Sequence, residues 1–292
     1  MDNHDELHDH DKGLSHDLPR IVSRGYGRRS LLGLLGGLGV VTVAGCAIGG
    51  SDDSTASSAT SDPGAPPGGA QPPDGGESSV SVADGEIPEE TAGPYPGDGS
   101  NGVNVLTESG IVRSDITSSF GSASGVAEGV PLTVNLTLVD LNGTDVAPLA
   151  RAAVYLWHCN RDGEYSMYSD AVVDENYLRG VQESDADGAL SFTSIFPAAY
   201  DGRWPHIHFE VYPSVADATT ASNKLRTSQI ALPEAVCQDV YDNADGYDAS
   251  VANLGNTSLD TDMVFSDGYS LQLAKVTGSV SEGYVATLNI PL

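Results

Sequence analysis

Two histidines, His206 and His208, stand two residues apart and follow Tyr200 and Arg203 in the stretch Phe196-Pro-Ala-Ala-Tyr-Asp-Gly-Arg-Trp-Pro-His-Ile-His-Phe-Glu-Val211. Residues two apart in an extended segment share a face. Their Cα atoms lie ~7 Å apart, twice the strand rise, so both imidazoles can converge on one metal ion. Ile207 and Phe209 point the other way and can anchor the strand in a core. Pro205 stiffens the entry. The stretch reads as a loop feeding a metal-bearing strand.

The pair by itself leaves the metal open. Glu210 continues the histidine face, which permits a two-histidine, one-carboxylate site of the kind found in non-haem Fe(II) oxygenases and hydrolytic zinc enzymes. A solvent-facing carboxylate fits the same spacing. Tyrosine is the other resource. Tyr155, Tyr165, Tyr168, Tyr177, Tyr200 and Tyr212 crowd into one stretch, and most tyrosines in β-proteins pack a ring and wet a hydroxyl. Tyr165 and Tyr200 stand apart because each occupies a polar, turn-like segment. A trivalent iron holds phenolates well below the free tyrosine pKa of ~10. His158, alone on its strand, reads as a buried or rim residue rather than a ligand.

The elements that must carry these residues are strands. Leu132, Val134, Leu136 and Leu138 alternate along one face of a half-buried strand. Asn142-Gly143 is a hairpin-turn signal. Residues 152–159 form a second strand, with Val154, Leu156 and His158 on one face and Tyr155, Trp157 and Cys159 on the other. Asp185 to Gly188 is a turn into a strand over 189–195, and 206–212 is another strand. Shorter strands fit 270–276 and 284–288. One short helix fits 234–241. Many short strands between Gly and Asp turns predict an all-β fold, a β-sandwich of mostly antiparallel short strands with long loops and little helix.

That domain occupies residues 86–292. Ahead of it, Arg28-Arg29-Ser30-Leu31-Leu32 opens a short apolar run, so residues 1–45 read as a twin-arginine export signal. The route carries folded proteins, which suits a preassembled metal site. The run is too short for a comfortable membrane span, which needs ~20 apolar residues. Val43-Ala44-Gly45-Cys46 resembles a lipoprotein cleavage box, with Cys46 as the lipidated residue and the only membrane attachment. Residues 46–85, rich in Ser, Asp, Gly and Pro, bury too little apolar surface to order and read as a tether. His4, His8, His10 and His16 lie in the leader, leaving His158, His206 and His208 to the domain. The net charge is −28, with 41 acidic residues against 13 basic. Phosphate contacts need clustered Lys and Arg, so nucleic acid is excluded as a partner. Cys46, Cys159 and Cys237 fit no CxxC spacing.

Three segments together resemble the intradiol ring-cleavage dioxygenases, the catechol 1,2- and protocatechuate 3,4-dioxygenase enzymes, in their exported bacterial form. They are Trp157-His-Cys-Asn-Arg-Asp-Gly-Glu-Tyr-Ser166, Asn176-Tyr-Leu-Arg-Gly-Val-Gln182 and Ser194 through Phe209. Glu90-Thr-Ala-Gly-Pro-Tyr-Pro96 resembles the family's segment ahead of the core, so the likeness runs over roughly 86–290. The resemblance implies one Fe(III) per chain on Tyr165, Tyr200, His206 and His208. Tyr200 and His208 would be axial, with Tyr165, His206 and hydroxide equatorial. It implies that Arg203 stabilises anionic charge on the activated substrate, that departing Tyr200 takes a substrate proton, and that Gln229 lines the site. Glu210 is then no ligand. The implied reaction opens an aromatic diol with O2, between its hydroxyl-bearing carbons, to a muconate-type diacid. Ala199 stands where close exported relatives would carry a cysteine, which leaves Cys159 and Cys237 as the candidate disulfide. Two rivals remain: a zinc hydrolase on His206, His208 and Glu210, and a non-enzymatic sandwich that binds glycans or aromatics.

Overall fold

The computed structural model describes residues 85–142 and 145–292. The expected export signal, Cys46 and all but the last residue of the expected tether lie outside the described residues, as does the centre of the Asn142-Gly143 turn.

The alternating leucines and valine of β1 (Pro131–Asn142) fill one side of a two-sheet sandwich. β2 (Asp145–Pro148) and β5 (Ala189–Ile195) pair antiparallel with β1, while β9 (Gly283–Pro291) runs parallel to it and carries β8 (Lys275–Ser279) on its far side. The second sheet has the order β4-β3-β6-β7, all antiparallel. Its strands are β3 (Ala153–Trp157), β4 (Arg179–Glu183), β6 (His206–Tyr212) and β7 (Arg226–Ala231). Between the sheets, Leu132, Val134, Leu136 and Leu138 meet Val154, Leu156, Ile207, Phe209 and Val211. Each such buried side chain contributes ~1.5–3 kcal/mol over its exposed state. The expected all-β sandwich is observed, with two short helices, α1 (Glu234–Asn243) and α2 (Asp248–Gly255), beside it.

The second sheet is unusual in being buried on both faces, since antiparallel sheets commonly leave one face to water. Every residue of β3, β6 and β7 is buried. Loops form the outer cover. Val105, Leu106 and Ile111 pack with Tyr155, Trp157, Tyr165 and Tyr212 in a second core. Glu90 N–H donates to Thr227 O at 2.8 Å, tying the N-terminal segment to the sheet edge.

Several boundaries differ from expectation. β8 begins at Lys275, after the centre of the expected 270–276 strand. The strands β2, β4 and β7 and the helix α2 carry no clear periodic signal. β7 reads Arg-Thr-Ser-Gln-Ile-Ala, polar on both faces, because both of its faces are buried among hydrogen-bond partners. The candidate disulfide is absent: Cys159 and Cys237 are both buried and unpaired. Cys159 belongs to the outer cluster and Cys237 to the core between the sheets. Burial pushes the Cys159 thiol up to about 12.

Candidate metal centre

Strand β6 places His206 and His208 on the outer face, opposite the side that buries Ile207 and Phe209. The register sets His208 between Trp157 on β3 and Gln229 on β7. Two loops complete the site. Tyr200 arrives on the turn before β6, and Tyr165 on the loop after β3, where Asn160 accepts the backbone N–H groups of Asp162 and Glu164 at 3.0 and 2.9 Å.

The four expected ligand side chains converge. His206 Nε2 lies 3.0 Å from His208 Nε2 and 3.2 Å from Tyr200 Oη, and Tyr200 Oη lies 3.5 Å from Tyr165 Oη. The rings are held by their surroundings. His206 Nδ1 is 2.5 Å from the Trp204 carbonyl, which can only accept, so Nδ1 carries the proton and Nε2 offers a lone pair. The His208 ring stacks on Trp157, with centroids 4.9 Å apart and planes 5° from parallel. Gly93, at φ +70°, passes close above: a Cβ there would sit 3.3 Å from His208 Cε1. Tyr95 packs against Tyr165 with centroids 5.0 Å apart and planes tilted by 35°.

This donor set suits a hard cation. Burial, then the charge of Arg203, lowers His206 to about 3. Burial and the neighbouring His206 push His208 well below its ordinary value. Both rings are therefore neutral near pH 7, with lone pairs available. Burial pushes Tyr200 up to about 12 and, with Tyr200 beside it, raises Tyr165 well above the ordinary phenol. Two phenols that resist ionisation, two neutral imidazoles, and the orphaned buried Nδ1 of His208 form an unfavourable polar cluster by themselves. A trivalent ion at their meeting point would reverse that balance by favouring the phenolates.

Arg203 borders the cluster. Its Nη1 is 3.5 Å from His206 Nε2, its Nη2 donates to Gln229 Oε1 at 2.7 Å, and its Nε donates to Asp262 Oδ2 at 2.9 Å. Gln229 Nε2 donates in turn to Thr91 O at 2.9 Å. Arg203 and Gln229, both expected at the site, are thus beside it.

Glu210 is not. It shares the histidine face, yet its Oε2 accepts from Tyr212 Oη at 2.6 Å and its Oε1 from Thr227 Oγ1 at 3.2 Å, with Lys224 Nζ 3.6 Å away. It is fully buried rather than solvent-facing. Burial, then Asp98, raises its carboxyl to about 8, so it is largely protonated at neutral pH and unfit to ligate zinc. Among the described residues no group of three or more His, Cys, Asp or Glu side chains is gathered to hold a metal. The zinc reading on His206, His208 and Glu210 therefore fails. His158 lies elsewhere, with Nε2 2.6 Å from Ser194 Oγ and Nδ1 2.7 Å from Cys159 O.

Sequence reasoning missed four contributors: Asp262, Trp157 as a stacking wall, Gly93 and Tyr95. Trp157 carried a usable signal, since it shares a strand face with Tyr155 and Cys159. Asp262, 59 residues from Arg203, carried none.

Comparison with known proteins points the same way. A family model described as a dioxygenase matches residues 113–221. A solved intradiol ring-cleavage dioxygenase from Tetranychus urticae is 25% identical, with a TM-score of 0.54 over 70% of this chain and 92% of that one. A chlorocatechol 1,2-dioxygenase of Rhodococcus opacus is 39% identical over 62 residues, 21% of this chain and 23% of that protein. A catechol 1,2-dioxygenase of Acinetobacter lwoffii is 40% identical over 58 residues, 20% of this chain and 21% of that protein. The chain thus spans less than a quarter of the length of these curated relatives.

Proposed function

We propose that this chain is an intradiol ring-cleavage dioxygenase, a reading supported by the dioxygenase family model and the fold it shares with the Tetranychus urticae enzyme, and that it opens the ring of a catechol-like diol with O2, between the hydroxyl-bearing carbons, to a muconate-type diacid. One observation carries this reading: Tyr165 Oη, Tyr200 Oη, His206 Nε2 and His208 Nε2 meet at 3.0–3.5 Å spacings. Those four residues would hold one Fe(III) per chain. When bound, the ferric ion supplies Lewis acidity that draws protons from both substrate hydroxyls and electron density from the ring.

The chain's own groups do the rest. Tyr200 is the less buried of the two tyrosines, and its phenolate would be basic enough to take a diol proton at Oη. Tyr165, 2% exposed and wedged between Tyr95 and His208, is the fixed member of the pair. Burial alone would lower the Arg203 guanidinium, but Tyr200 and Asp262 outweigh it, so it stays charged. It supplies a fixed positive pole where ring carbons gain anionic character. Trp157, Tyr95 and the Gly93 backbone exclude water around His208 and Tyr165.

The charges also narrow the substrate. Arg203 is paired with Asp262, and Lys224 lies 3.8 Å from Glu89 and 3.6 Å from Glu210. Arg179 donates to Tyr95 O, Pro96 O, Ser166 O and two hydroxyls. A substrate carboxylate would find these cations engaged, which favours diols without one. The test is an anaerobic titration of iron-loaded protein with catechol and with a carboxylated catechol, followed by admission of labelled O2. The reading expects a coloured protein whose visible band shifts with catechol, and a diacid carrying both labelled atoms. A colourless iron-replete protein, or catechol returned intact, overturns it.

We also propose export by the twin-arginine route with a lipid on Cys46, on the strength of Arg28-Arg29 and Val43-Ala44-Gly45-Cys46. Cys46→Ser should move the protein from membrane to soluble fractions, and Arg28→Lys with Arg29→Lys should retain it inside the cell.

A further inference from the structure

We propose that Asp262 is a positioning residue that aims Arg203 at the substrate side of the site, an inference that rests on the function proposed above. Asp262 lies between α2 and β8 and its side chain is fully buried. Five donors converge on its two oxygens. Oδ2 accepts Arg203 Nε at 2.9 Å and Trp204 N–H at 2.7 Å. Oδ1 accepts Val264 N–H at 2.8 Å, Phe265 N–H at 3.2 Å and Arg203 Nη2 at 3.4 Å. Three backbone donors from two segments thus pin the carboxylate before it meets the arginine. Burial would raise its pKa, but the Arg203 and Trp204 hydrogen bonds outweigh burial and hold it below its ordinary value.

The consequence for Arg203 is geometric. A guanidinium is planar and rigid, so fixing one edge fixes the whole group. Asp262 takes Nε and shares Nη2 with Gln229, whose Oε1 is 2.7 Å away. The remaining nitrogen, Nη1, is left facing His206 Nε2 at 3.5 Å. The same carboxylate holds the Trp204 amide, and the Trp204 carbonyl sets the tautomer of His206. The Trp204 amide asks only for an acceptor oxygen, which an asparagine would still supply, so what depends on the carboxylate itself is the aim of Arg203. Without it, Arg203 keeps its charge and loses its aim.

Steady-state kinetics on the iron-loaded full chain separate aim from fold. Asp262→Asn should keep iron content and colour and lose roughly 10²-fold in kcat with little change in KM, the scale expected for misplacing a reacting group by about 1 Å. If Asp262 acts through Arg203, the double variant Asp262→Asn, Arg203→Ala should be no worse than Arg203→Ala alone. Should Asp262→Asn fail to fold, Arg203→Lys serves. It retains charge but cannot span Asp262 and Gln229, and should lose kcat nearly as far as Arg203→Ala. In the metal-free protein, the Arg203 Nε–H resonance should be protected from solvent exchange, and exposed in Asp262→Asn. Full activity in Asp262→Asn, additive losses in the double variant, wild-type activity in Arg203→Lys, or an unprotected Nε–H would each overturn the inference while leaving ring cleavage standing. A wild-type chain that leaves catechol intact overturns both.

Discussion

Ile207, Phe209 and Val211 lie on one side of β6, and His206, His208, Glu210 and Tyr212 on the other, and all seven are buried. The inner side is stabilised simply by removing apolar area from water. The outer side carries a desolvation cost that specific partners must offset. Each of its groups except His208 Nδ1 has found one: Trp204 O for His206, Tyr212 and Thr227 for Glu210. The inner face thus determines whether the sheet exists, and the outer face determines what it can hold. His158 sharpens the contrast. It is equally buried, but Ser194 and the Cys159 carbonyl satisfy both of its nitrogens, so it has no lone pair left for a metal.

Substitutions on the two faces should separate these roles. The largest effect is expected for His208→Ala: iron content, visible colour and ring cleavage all lost, with the metal-free protein still folded by circular dichroism. Retained stoichiometric iron in that variant would contradict the outer face as the metal's seat. Phe209→Ala, one residue away on the inner face, should instead cost ~3–5 kcal/mol of stability in denaturant unfolding. The surviving folded protein should keep its colour.

The next effect is a pH dependence. Burial lowers His158 to about 4 from its ordinary 6.5. A depressed folded-state pKa gives stability that is present above about 6.5 and lost as pH falls through about 4. The unfolding free energy from urea titration should fall between pH 7 and pH 4 by about 3 kcal/mol more in wild-type than in His158→Gln protein. Equal falls would mean that His158 is not buried neutral. The smallest effect belongs to Gly93→Ala. The left-handed backbone costs an alanine ~1–2 kcal/mol, and the added Cβ would crowd the His208 ring. A modest fall in melting temperature and weaker iron retention against a chelator should appear together; a fall in stability alone would detach Gly93 from the site.

Much of this was legible in the chain. The alternation at Leu132 to Leu138 and the spacing of His206, Ile207, His208 and Phe209 encode which side of a strand meets a core, because a strand's period of two is local geometry. The strand bounds at 189–195 and 206–212 match the observed elements. β7 stayed hidden because Arg226, Thr227, Ser228 and Gln229 are polar and buried at once, a state permitted only by partners such as Glu86, Glu89 and Thr91 far away in the chain. The Glu210 alternative was spatially sound as a pattern. Its failure lies in Tyr212, Thr227 and Lys224, which claim the carboxyl before any metal can.

By itself, the order of residues determined the alternating strands, their inner faces and the His206–His208 pair, since each depends on near neighbours along the chain, while Tyr165 and Tyr200 joined that pair only through the family resemblance. Tertiary structure alone decided that Tyr165 and Tyr200 reach the histidines, that Thr227 and Lys224 engage Glu210, and that Asp262 clasps Arg203. Those contacts depend on where loops close across tens of residues, and no local periodicity records that closure.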